Sequence, residues 1–350
     1  MRKILDPQRL WARLRPARRP GAPLPLLRPV PAHLHLGRVI LPGAWRGPLQ
    51  TFEHPASHHA LWRWSHHKRW FYVTLQAAPW MLAAAVVDTG YAVQMHCMLA
   101  HLEPGQLKLH LRGLSPSIQG GALQSRNGDL VARAQQGERY LELRRLRGGE
   151  IYLNLTAPEA TLRGRWEPSQ VPALIAAAEL AGGGTHLTHK TVAQRATLQG
   201  QMGAEALQIQ GWGGSDHSDG FVPRETRWNW VYFTGHTREG ISISLNLVQG
   251  FLGACECVLW LGSQLITLGE GNMDVPDDPA LPWRIRSACG RVDLTFQPRT
   301  LEVDRTDVMV ARSHFVQAFG FFSGRLRVTG GDPLLIQGLP GVAEQQDVRW

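Results

Sequence analysis

Cysteine is scarce in this chain, with four in 350 residues. Cys97, Cys255, Cys257 and Cys289 follow no regular spacing. That pattern excludes a disulfide framework and points to a reducing compartment. Long apolar runs are missing as well. The longest uncharged one, from Phe71 to Val87, falls short of the roughly 20 residues a membrane helix needs, and Pro79 sits at its centre. Residues 1–19 lack the continuous apolar core of a signal peptide. The expectation is a cytoplasmic protein. No phosphate-binding loop, dinucleotide-binding glycine pattern or nucleophile elbow occurs, and no cofactor is expected.

Acidic residues are almost absent from the start of the chain. Residues 1–40 carry nine Lys or Arg against Asp6 alone, which accounts for nearly all of the net charge of +9. A basic arm on a neutral body argues against nucleic acid as a partner. The arm opens with a short amphipathic stretch, LDPQRLWARLR, and turns Pro-rich after it. It reads as a disordered or extended leader, or as a peripheral contact with an anionic membrane.

Tryptophan and short strand-like runs are what the chain has in abundance. Thirteen Trp are present, a residue of strands and apolar pockets. From residue 38 onward, runs of about 8 to 12 residues rich in aromatic or β-branched side chains end at Gly, Asp-Thr-Gly or Pro-Gly. This is the punctuation of an antiparallel all-β protein. LWRWSHHKRWFYVTLQ reads as one long strand after a His-rich loop, and GACECVLWLG as another. The convincing helical run beyond the arm lies within residues 168–184, where VPALIAAAELAGGG has helix formers and a Gly stop. A buried strand around LIAAA is the alternative. Because open sheets rarely exceed about 10 strands, two β-units are expected. The division adopted is an arm over 1–37, a first unit over 38–200 and a second over 201–350.

The stretch from Gly211 to Gly250 organises the second unit. A Gly-rich bend carrying Asp216 and His217 is expected to lead into a strand with Trp228, Trp230 and Tyr232 on one face. The chain then turns at residues 235–240 and returns with Ile241, Ile243, Leu245 and Leu247 on one face and Ser242, Ser244 and Asn246 on the other. An acid and an imidazole beside a wall of indoles suit a small-molecule site.

Several segments in series resemble a bacterial domain-of-unknown-function family related to the carotenoid 1,2-hydratase, AttH-like and tocopherol-cyclase group. They include His67-Lys68-Arg69-Trp70, Thr188-His189-Lys190, Asp216-His217-Ser218-Asp219-Gly220, Trp228-Asn229-Trp230, Asn246-Leu247, Glu256, and Gly341 to Glu344. The resemblance covers roughly residues 40–350. It implies two lipocalin-like antiparallel β-barrels packed together, with Asp216, His217, Gly220, Trp228 and Trp230 lining a cavity for an apolar, isoprenoid-like molecule. Two departures stand out: no aromatic precedes Gly220, and Cys257 follows Glu256 where Asn is expected.

On this reading Asp216 is a candidate proton donor, assisted by His217 and Glu256; burial raises a carboxyl pKa and keeps the acid loaded. Against it stands the alternation of a strand, which would turn adjacent residues to opposite faces. Trp62, Trp64, Trp70, Trp228, Trp230, Tyr232, Asn246 and His236 are the candidate ligand contacts. The imidazoles His54, His58, His59, His66 and His67 lack the spacing and companions of a zinc site. Cys255 and Cys257, expected on one strand face, lack further ligands, and no metal is expected. Ser65 and Lys68 match an acyl-enzyme spacing but fall where a strand is expected to begin. The expected function is enclosure of a hydrophobic small molecule, with acid-assisted hydration, isomerisation or cyclisation. The alternatives are a carrier without chemistry and an assembly factor whose cavity is packed shut.

Overall fold

The computed structural model describes residues 24–31, 34–36, 39–48, 59–117, 123–126, 128–237, 239–308, 311–328 and 332–350. The arm up to residue 23, with its expected amphipathic stretch, lies outside the described residues, as do His54 and His58. Nearly everything described is antiparallel sheet, curled into two lipocalin-like barrels that pack against each other. No helix among the described residues is long and apolar enough to cross a membrane.

Strict alternation builds the first barrel. In Ile151–Ala157 and Ala160–Trp166 every second residue is buried. The inward set, including Leu153, Leu155, Leu162 and Trp166, joins Phe71, Val73 and Leu75 from His67–Ala77 in one apolar core. Two long strands, Thr185–Met202 and Glu205–Phe221, complete this sheet by pairing with each other. The second of them also pairs with His67–Ala77. The second barrel is built around Glu225–His236, paired with Ser242–Gly250 on one side and Leu334–Arg349 on the other. The changeover between sheets therefore falls between Phe221 and Glu225. The sequence division at 200 falls instead near the turn of the long hairpin, whose second strand belongs to the first sheet.

Four local expectations are corrected. LIAAA is strand Leu174–Glu179, held between Thr185–Met202 and Gly43–Arg46, so tertiary pairing overrides its helix propensity. Residues Ala60–His66 form an α-helix before the His67–Ala77 strand, with the His59 ring accepting from the Trp62 N–H as N-cap. Trp62 and Trp64 are thus helical and lie outside the strand. Residues Gly253–Glu256 form a single 3-10 turn before Val258–Leu261, which removes the shared strand face expected of Cys255 and Cys257.

The Gly-rich bend is no bend: residues 211–220 run extended inside Glu205–Phe221. Its glycines serve close approach. A Cβ on Gly213 would lie 2.3 Å from Trp166 Nε1, and one on Gly214 would lie 2.3 Å from the Tyr232 hydroxyl of the other barrel.

The barrels meet in step. Even-numbered residues of His67–Ala77 face the even-numbered residues of Glu225–His236. Trp70 lies beside Trp228 with ring centroids 6.4 Å apart, and Tyr72 meets Trp230 edge-on at 5.5 Å. At the far end the Thr234 N–H donates to Gln76 Oε1 at 2.7 Å.

Candidate functional site

The register fixes which side chains share the inter-barrel face. Lys190 pairs with Asp216 and Thr188 with Ser218, while Asp216 pairs with Tyr72 and Ser218 with Trp70. Three neighbouring strands thus present six side chains to one side. Opposite them stand Trp228, Trp230 and Glu344, since Trp230 pairs with Glu344, and the 3-10 turn adds Glu256.

Lys190 holds this face together. Its Nζ lies 2.7 Å from Asp216 Oδ2 and 3.2 Å from Glu256 Oε2. Asp216 also accepts from Thr188 Oγ1 at 2.6 Å, Ser218 Oγ at 3.3 Å and Trp70 Nε1 at 3.4 Å. Trp228 Nε1 donates to Glu344 Oε1 at 2.7 Å, and Gln317 Nε2 donates to the other oxygen at 3.1 Å. Trp230 Nε1 donates to Asn246 Oδ1 at 2.8 Å, and Asn246 in turn donates to the Glu256 carbonyl at 2.7 Å. Lys190, Glu256 and Glu344 are buried. Asp216 keeps 14% of its side chain exposed, and Trp70, Trp228 and Phe251 beside it are partly buried.

The three carboxyl groups differ in charge state for identifiable reasons. Burial opposes ionisation of Asp216, but Lys190 and the hydroxyl donors outweigh it and hold the pKa below the usual range. Lys190 is raised: desolvation is overcome by the two carboxylates. Glu256 is raised, chiefly by burial, with Lys190 only partly offsetting and the Asp216 charge adding to the effect. Burial pushes Glu344 up to about 7 against the donors Trp228 and Gln317. Asp216 is therefore held as a carboxylate, and Glu344 is the group poised to hold or release a proton near neutral pH.

Of the sequence candidates, Asp216, Glu256, Trp70, Trp228, Trp230, Tyr232 and Asn246 come together here. His217 does not. It points to the opposite face, into the first barrel, where it meets Phe71 and His189. His236 packs at a tilt against Trp212, with ring centroids 4.6 Å apart, and lines a separate open groove of about 470 Å³ at the other end of the interface, with Trp80 and Leu339. Trp62 stacks on His66 at 4.4 Å, and Trp64 is half exposed against Tyr91. Neither touches the cluster. Lys190 and Glu344 carried no role in the sequence reading, although both lie in its matched segments. The alternation of Thr188 and Lys190 puts them on one face, but what stands opposite is set by pairing across the chain.

Residues 26–350 match the model of DUF2804, described as a domain of unknown function. No curated protein matches the chain. Among solved structures, an AttH-like protein from Nitrosomonas europaea is 12% identical, with a TM-score of 0.50 over 80% of this chain and 92% of that one. CghA with Sch210972 is 8% identical, with a TM-score of 0.55 over 93% and 97%. Kievitone hydratase from Nectria haematococca is 10% identical, with a TM-score of 0.47 over 82% and 90%. At such identities the first two likenesses establish a shared fold.

Proposed function

This chain belongs to the DUF2804 family, and we propose that it binds an apolar, unsaturated small molecule between its barrels and moves protons on it without a cofactor. The observation that carries the reading is the division of charge around Lys190. One carboxylate, Asp216, is held ionised, while Glu256 and Glu344 are pushed toward their protonated forms within a wall of indoles.

The role of donor passes from Asp216 to Glu344. An acid works best with a pKa near the working pH, and Asp216 is held charged by its ion pair. Glu344 gives its proton to one carbon of a double bond. The cation formed is stabilised by the Asp216 carboxylate and by the faces of Trp228 and Trp230. Return of a neighbouring C–H proton to the Glu344 carboxylate completes an isomerisation. Capture by water, whose proton goes back to Glu344, completes a hydration.

Extraction of the purified protein with organic solvent, followed by mass spectrometry, tests the reading. A lipid- or isoprenoid-like species should co-purify. Held on the protein in D2O, it should gain deuterium at carbon, and Glu344→Gln should stop the exchange. A ligand that stays unlabelled marks a carrier, and a blank extract marks a packed scaffold.

A further inference from the structure

His217 and His189 turn away from the Lys190 cluster into the first barrel, where they meet Arg145. This guanidinium is 8% exposed, His189 4% and His217 6%. Arg145 Nη1 lies 2.7 Å from His189 Nδ1, its side-chain hydrogen bond among the described residues. Arginine only donates, so His189 Nδ1 accepts and its proton sits on Nε2. That Nε2 is buried and has no hydrogen-bond partner among the described residues, and neither has His217 Nδ1.

The charge balance is equally open. The carboxylates whose fields reach His217 are Asp219 and Asp216. Asp219 is taken by His67 at 2.6 Å and Asp216 by Lys190 at 2.7 Å. Burial lowers Arg145 to about 10, with no acid offsetting it, and burial and the Arg145 charge lower His217 to about 3. Both imidazoles are therefore neutral at pH 7, and the guanidinium is a buried cation without a counter-ion among the described residues. Leaving such a charge and two polar nitrogens unmet in an apolar core is costly.

We infer that the first barrel holds a small carboxylate, received by Arg145 and flanked by His189 and His217. Every unmet group can serve as a donor, which matches an acceptor-only anion. The surroundings are apolar: Arg145 lies over the Phe71 ring at 5.9 Å and pairs with Ile151. A carboxylate with a short hydrocarbon tail fits them better than a strongly hydrated oxyanion. The inference stands independently of the chemistry proposed for the other face.

The test is titration of the full-length protein with sodium butyrate at constant ionic strength, read by calorimetry and by thermal unfolding, with inorganic phosphate in parallel. Butyrate should give a saturable one-to-one heat and a rising Tm. Arg145→Lys, which keeps the charge and loses the fork, should weaken binding at least about tenfold. Arg145→Leu should abolish the response and, without butyrate, unfold at the same or a higher temperature than the unliganded parent. Absence of a saturable butyrate response, a response confined to phosphate, or unchanged affinity in both variants overturns the inference. If Arg145→Leu does not fold, the decision falls to Arg145→Lys and to His189→Phe, which should also weaken butyrate binding.

Discussion

Lys190 and Asp216 face each other across neighbouring strands, with Nζ 2.7 Å from Oδ2 and Glu256 3.2 Å away on the other side. Each strand puts alternate residues on this face, so one cation comes to be shared by acids from both barrels. Removing it should be severe. Lys190→Met leaves Asp216 and Glu256 buried without compensation, and a loss of about 3–5 kcal/mol in stability is expected. Urea denaturation measures it. Adding Glu256→Gln to Lys190→Met should recover part of the loss, as a double-mutant cycle will show.

Glu344 links stability to pH in the opposite sense from an ordinary ion-paired acid. Its folded pKa of about 7 lies above the usual carboxyl value, so its contribution is full below about pH 4.5 and is lost as pH rises through 7. Glu344→Gln should therefore be more stable than the parent at pH 8, by up to about 3 kcal/mol, with the gain vanishing near pH 4. Proton-transfer activity should fall by about 10²–10⁴ in the same variant. In the parent it should decline above pH 7, where the acid is unloaded.

Glu302 behaves as the ordinary case. Burial works against its charge, but His96 and His110, the latter 2.9 Å away, hold its pKa down at about 2. Its stabilisation is present above the unfolded value and disappears as pH falls through 2. Because the imidazoles belong to the first sheet and Glu302 to the second, Glu302→Gln should loosen the barrel interface. A loss of about 3 kcal/mol at pH 6 that shrinks toward pH 2 is the expected result in acid titrations of unfolding.

Gly214 is fixed by space. A Cβ there would sit 2.1 Å from the Thr191 carbonyl oxygen and 2.3 Å from the Tyr232 hydroxyl. Gly214→Ala should cost about 3 kcal/mol through overpacking. Tyr232→Phe should relieve part of that penalty, and the carbonyl should retain the rest. Thermal melts of the single and double variants decide it.

The all-β class, the two-unit plan and the row of Trp228, Trp230 and Tyr232 were legible in the amino-acid order. Each of these is written in local periodicity, and a strand's alternation follows from its backbone whatever it packs against. Alternation also carried the warning that Asp216 and His217 could not share a site, and they do not. Tertiary structure alone decided that LIAAA is a strand, because burial between two neighbours outweighs the propensity of Ala for helix. It also decided that Glu256 and Glu344, distant along the chain, converge near one lysine. No periodicity records which strands meet across an interface, and the pKa of each acid follows from that meeting.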